Sequence, residues 1–185
     1  MGLTVKERGQ CVATFRFVQV GLMETLAAWV PTTPEMEVKL LFGEHIWDLA
    51  QHADSLGKRT YELRLALQHS VPPTEAYRRI LGRLSSTEET TRRIAGIYDV
   101  MLPALETRYL RYLEATDALM DAPTVRILER VLVDQKRMIE QSRRLRGELP
   151  QLRLMDEGWA RDLAAAEAAA GEMVAPALTA AIAAP

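Results

Sequence analysis

The stretch from Pro34 to Leu67, PEMEVKLLFGEHIWDLAQHADSLGKRTYELRLAL, decides the fold. It has no proline after its first residue, and Phe42, Ile46, Leu49, Ala53 and Leu56 recur at three- and four-residue steps, the spacing of one helical face. Thr33 is the expected N-cap, with Pro34 at the first helical position and Glu35 and Glu37 near the positive helix end. At 1.5 Å per residue such a helix would be roughly 50 Å long.

Working outward, an earlier helical pattern runs from Cys11 to Val30, where Pro31 and Pro34 bracket two threonines. After the Val71-Pro72-Pro73 break, Thr74 to Leu84 carries Ala76, Ile80, Leu81 and Leu84 at helical spacing and is expected to connect across one end of the molecule. Ser86 or Thr87, with Glu88 and Glu89 behind, starts a third long helix through Ile94, Ile97, Met101, Leu105, Tyr109 and Tyr112 to Ala118, with a kink expected at Pro103. Asp121-Ala-Pro-Thr opens a fourth, whose face Leu128, Val131, Leu132, Gln135, Met138, Ser142 and Leu145 ends before Pro150. An Ala-rich helix is expected from Asp156 to Met173, and residues 174–185 read as a loose tail. No segment alternates with period two, so the reading is all-α: one domain over residues 1–185, an antiparallel four-helix bundle with a short connecting helix and a C-terminal Ala-rich helix.

A chain of 185 residues is long enough for one sizeable core. Its formal net charge of −2 supplies no basic field for a polyanion, so a nucleic-acid partner is not expected. The single cysteine, Cys11, cannot close an intrachain disulfide, and no zinc-type Cys/His spacing occurs, which favours the cytoplasm. The N-terminus lacks a signal-like apolar core, and no uninterrupted 18-residue apolar run is read as a membrane span. There is no phosphate-binding Gly-rich loop and no nucleophile elbow.

The chemistry-bearing residues lie inside the helices. His45, Asp48 and His52, three and then four residues apart, share one side of the second helix, bordering its apolar stripe. Glu24 lies on the side of the first helix made by Ala13, Phe17, Val20 and Ala28, expected to face inward, where its carboxylate needs a partner such as Arg59, a proton or a metal. Glu106 shares a side with Leu102, Tyr109 and Leu113 on the third helix, and the Asp134-Gln135 pair stands mid-way along the fourth.

One polar group per helix near mid-height, with histidine on the second, makes the chain resemble the ferritin-like superfamily from Phe15 to Arg146. The resemblance implies a carboxylate-bridged iron or manganese site drawn from Glu24, His45, Asp48, His52, Glu106, Asp134 and Gln135, with Glu24, Asp48 and His52 the catalytic candidates. Both Glu-x-x-His units are broken, however. Leu49 stands three residues before His52, and Met138 stands three after Gln135. The expectation is a degenerate or asymmetric site holding no metal or a single iron or manganese ion, in a binding or accessory protein placed beside a biosynthetic or oxidative enzyme. The alternative is an active non-haem iron- or manganese-dependent oxidase or oxygenase on a small organic substrate. In a metal-free interior, Gln135 is expected to hydrogen-bond Glu24. A small-molecule ligand, a protein partner or a second copy of the chain are the partners considered.

Overall fold

The computed structural model describes residues 3–153 and 156–171, and all its regular structure there is helical. Six helices are numbered in chain order: α1 (Val5–Trp29), α2 (Met36–Glu62), α3 (Glu75–Ser85), α4 (residues 90–115), α5 (Ala122–Glu148) and α6 (Glu157–Ala169). The loose-tail expectation for 174–185 lies outside the described residues.

Local chemistry sets each boundary. Thr4 and Glu7 cap each other's backbone at the start of α1, six residues before the sequence pattern suggested, and Val30–Thr32 form a 3-10 turn at Pro31. Thr33 caps no helix. Its hydroxyl donates to the Trp29 carbonyl (2.9 Å) and accepts from Arg93 (2.9 Å), which leaves Glu35 at the N-cap position of α2. α2 stops at Glu62, five residues short of the expected Leu67, because Arg64 turns into the left-handed region (φ 65°). Thr74 caps α3 and Asp156 caps α6, each accepting from the backbone N–H three residues on.

α4 is not simply kinked at Pro103. Its segment Ala95–Met101 is π-helical, and the Leu102 N–H bonds the Ile97 carbonyl five residues back, just before the proline. Gly96 lies in this segment, where an added Cβ would collide with Leu84 and sit 3.1 Å from the Trp159 ring.

Cross-helix contacts define the packing. Arg93 lies over Trp29, Gln19 meets Tyr109, Phe15 packs edge-on to Tyr109 and Tyr112, and Arg8 reaches the Met120 carbonyl, so α4 runs antiparallel to α1. His45 meets Gln141, His52 meets Asp134, and Arg59 meets Asp121, so α5 runs antiparallel to α2. Asp99 pairs with Arg146 and Glu106 with Lys136, which makes α5 antiparallel to α4. α1 and α2, joined by a short turn, form the most extensive helix pair.

The connector α3 does not cross an end of this arrangement. It lies along the second half of α1, where Leu81 approaches Gly21 and the Trp29 indole donates to the Ser85 carbonyl (3.0 Å), and so returns the chain to the level at which α4 begins. α6 then packs on α3 and the π segment, held by a buried pair between Arg108 and Glu167 (2.6 Å).

By length and composition the stretch Val5–Thr32, with an 18-residue window of mean hydropathy 1.2, is long and apolar enough to cross a membrane, although Arg16 and Glu24 interrupt its apolar run. Over half of that window is buried among the other helices, the pattern also of a soluble protein's core helix.

Candidate functional site

α2 and α5 present their polar side chains to one another along a continuous seam. His45 is fully buried, with Nδ1 2.6 Å from the Tyr98 hydroxyl and Nε2 2.9 Å from Gln141 Oε1. The Gln141 amide nitrogen donates to Glu44 Oε1 (2.8 Å), and a carboxylate can only accept. The Gln141 oxygen therefore faces His45, His45 carries its proton on Nε2, and Nδ1 accepts from Tyr98. Burial pushes the His45 pKa down, against the opposing bond from Gln141, and pushes that of Tyr98 well up, so both are neutral near pH 7.

One helical turn along the seam, the Arg137 guanidinium lies 3.1 Å from Glu44, 3.0 Å from Asp48 and 3.1 Å from Asp134. The contacts with Asp48, foremost, and Asp134 raise its pKa against desolvation. Asp134 Oδ2 lies 3.1 Å from His52 Nε2. Burial depresses the His52 pKa despite the attraction of Asp134. The hydrogen bonds from His52 and Arg137 outweigh desolvation and depress that of Asp134. The contact is thus a neutral imidazole N–H donating to a carboxylate.

Behind the seam lies a layer of neutral groups. Gln19 donates to Tyr109 (2.8 Å), Glu106 pairs with Lys136 (3.8 Å) and His52 meets Asp134, which together set Gln19, His52, Tyr109 and Gln135 at one height on four helices. Gln19 is 0% exposed, Gln135 1% and His52 3%. Gln19 Oε1, both Gln135 amide atoms and His52 Nδ1 have no hydrogen-bond partner among the described residues.

The expected site residues therefore divide. His45, Asp48, His52, Asp134 and Gln135 do come together along α2 and α5. Glu24 does not join them: it is exposed, on a groove between α1 and α3 lined also by Arg78 and Leu81. The expected bond from Gln135 to Glu24 is thus absent, and so is the pairing of Glu24 with Arg59. Arg59 instead donates to Asp121 (2.8 Å), Thr124 (2.8 Å) and Glu62 (2.7 Å). Glu106 is half-buried at the α4–α5 surface, facing Lys136. His45 is satisfied by Tyr98 and Gln141, and His52 bonds Asp134 through Nε2 alone; neither is held by its helical neighbours Glu44 and Asp48.

Among the described residues, Glu44, His45 and Asp48 form a cluster whose ligand atoms lie within 4.8 Å of one another. A cation there would compete with Arg137, which already pairs with both carboxylates. The buried mid-height layer offers two amides, a phenol and an imidazole, while the carboxylates at that height, Asp134 and Glu106, are engaged by His52 and Arg137 and by Lys136, and such a set does not balance two divalent ions. The dinuclear plan does not fit these residues.

Sequence reasoning missed Gln19, Tyr98, Arg137 and Gln141. Gln19 shares the 3.6-residue stripe of Phe15, Leu22 and Leu26, and Arg137 and Gln141 fall three and seven residues after Asp134 on the same face of α5. Those spacings were the available signal. Comparison with protein-family models, curated proteins and solved structures finds no match for this chain.

Proposed function

We propose that this chain is a four-helix bundle of ferritin-like plan whose metal site has been replaced, and that it works as a binding or accessory protein rather than as an oxidase. The plan is supported by the antiparallel neighbours α1–α2, α1–α4, α2–α5 and α4–α5, with a single connector, α3, between the second and third long helices. The observation that carries the functional reading is Arg137. Its guanidinium gathers Glu44, Asp48 and Asp134, placing one covalently held positive charge among the carboxylates that a bound ion would need. A cytoplasmic location accords with a lone thiol, Cys11, that is buried and has its pKa raised by that burial.

Metal content decides the matter. Protein produced with added iron or manganese is expected to carry no stoichiometric metal, whereas Arg137→Gln, freed of the guanidinium, is expected to acquire weak divalent-ion binding at Glu44, His45 and Asp48. One equivalent of metal in the wild type, lost in His45→Ala, would overturn the reading.

That outcome would favour the second reading, a metal-dependent oxidase. The approach of Glu44, His45 and Asp48 to within 4.8 Å of one another is its motive.

A further inference from the structure

α6 lies alongside α4 and is tied to it on both sides of the π segment. At its start the Asp156 carboxylate accepts from Arg92 (2.9 Å), which stands before that segment. At its end Glu167 accepts from Arg108 (2.6 Å), which stands beyond it, and the Gly171 carbonyl accepts from the same guanidinium (2.8 Å). Between these ties Trp159, Leu163, Ala166 and Ala170 recur at three- and four-residue steps and form one apolar face. Leu163 is fully buried, and the Trp159 ring lies against Gly96.

The π segment sets how the two halves of α4 face the long helices. Arg93 lies over Trp29 and Tyr109 packs on Phe15, so both turn toward α1. In an unbroken α-helix of 3.6 residues per turn, Arg93 and Tyr109 would point about 160° apart. The extra residue of the wide turn takes roughly 100° out of that difference. Tyr98 stands inside the wide turn, and its buried hydroxyl meets His45 Nδ1 at 2.6 Å. Such turns are rare and their hydrogen-bond geometry is poor, so packing from outside the helix has to hold them. Here that packing falls on Gly96, where Leu84 of α3 and Trp159 of α6 fill the space a side chain would need.

We propose that α6 is a splint for this turn and, through it, a control element on His45. While α6 is docked, Tyr98 stays on Nδ1 and the ring is closed. When α6 leaves, the wide turn relaxes toward an α-helix, the two halves of α4 rotate against each other, and Tyr98 comes off the ring. Both His45 nitrogens are committed in the docked state, Nδ1 to Tyr98 and Nε2 to Gln141, so any ligand to that ring has to displace one of them. α6 is also the helix best able to leave, because Leu163 and Glu167 are its only buried residues. The splint rests on the geometry of α4 and α6 alone and stands whether or not Glu44, His45 and Asp48 take a metal.

NMR of the full chain reads this coupling through the His45 ring nitrogens and the Tyr98 hydroxyl proton. Leu163→Asp, which removes the buried anchor of α6, is expected to shift Nδ1 away from its hydrogen-bonded position and to speed exchange of the Tyr98 hydroxyl with water by about tenfold or more. Trp159→Ala, a milder change that vacates the space beside Gly96, should act in the same direction, and it carries the test if circular dichroism shows that Leu163→Asp does not fold. Val12→Ala, a buried change in the first half of α1, should leave both signals as in the wild type. Unchanged His45 and Tyr98 signals in the folded α6 variants overturn the proposal, and so does an equal change in Val12→Ala.

Discussion

Replacing Gln135 by methionine tests whether the mid-height layer is a vestige or a working site. Gln135 is 1% exposed, and neither its amide nitrogen nor its amide oxygen has a partner among the described residues. A buried polar group left unpaired costs about 1–3 kcal/mol. Methionine is unbranched, of similar length and a good helix former, so it removes that cost with little change of packing. Allowing for imperfect packing, Gln135→Met should stabilise the fold by about 1–2 kcal/mol. At about 2–4 °C per kcal/mol for a chain of this size, the midpoint should rise by roughly 2–8 °C. Urea unfolding followed at 222 nm, with an unchanged m-value, measures it. A loss of 1 kcal/mol or more would refute the reasoning, because it would mean that the amide is holding something. If that loss also vanished on treatment with a chelator, the partner would be a metal, and the accessory reading would fall with it.

Asp121→Ala should cost about 3–5 kcal/mol in the same assay, since it strips the buried Arg59 of its carboxylate and leaves Tyr112, Thr116 and Thr124 without their acceptor. Burial opposes the charge on Asp121, but the bonds from Thr124, Tyr112, Arg59 and Thr116 outweigh it and hold its pKa below the usual value. Its stabilisation is therefore complete above about pH 3.9 and is lost as pH falls through the folded value, an acid transition that should be missing in Asp121→Asn. His45 and His52 also have depressed folded pKa values, so the unfolded chain takes up protons first, and stability should decline as pH drops below about 6.5. His45→Gln/His52→Gln should flatten that decline, and an unchanged slope would remove the histidines from the account. Gly96→Ala should destabilise by about 1–3 kcal/mol, because its methyl group enters space filled by Leu84 and Trp159. A thermal midpoint equal to wild type would show that the π segment can shift to make room.

The elements that were legible in the sequence are those in which one face alone is buried. On α5, Leu128, Val131, Gln135, Met138 and Ser142 of the expected inner face are buried and Leu132 and Leu145 are half-buried beside them, because the opposite face of that helix is charged and the stripe stands out. α1 misled for the opposite reason. Its apolar residues run nearly all the way round, since the ring of long helices covers one side and α3 covers another, so Phe17, Val20 and Glu24 looked as eligible for the interior as Phe15, Gln19 and Leu22. A shift of about one residue in the assumed face exchanged Gln19 for Glu24, and with it a neutral interior for a charged one. The histidines were found, but not their partners. Tyr98 and Gln141 lie 53 and 96 residues from His45, and no periodicity within α2 points across such a gap.

Arg137 and the neutral layer are two answers to one electrostatic problem. A bundle whose interior holds carboxylates needs a cation among them, and the cost of burying the charges without one is several kcal/mol per ion. At mid-height the buried groups are the neutral Gln19, Tyr109 and Gln135, and the buried carboxylates elsewhere, Asp121 and Glu167, are each held by an arginine. Glu44, Asp48 and Asp134 stand at the rim of α2 and α5, where a half-exposed arginine can reach all three. A guanidinium tethered to α5 that reaches Glu44 and Asp48 holds the two helices in register. A cation at Glu44, His45 and Asp48 would compete with it for the same carboxylates. The metal content of Arg137→Gln therefore bears on function as well as on structure.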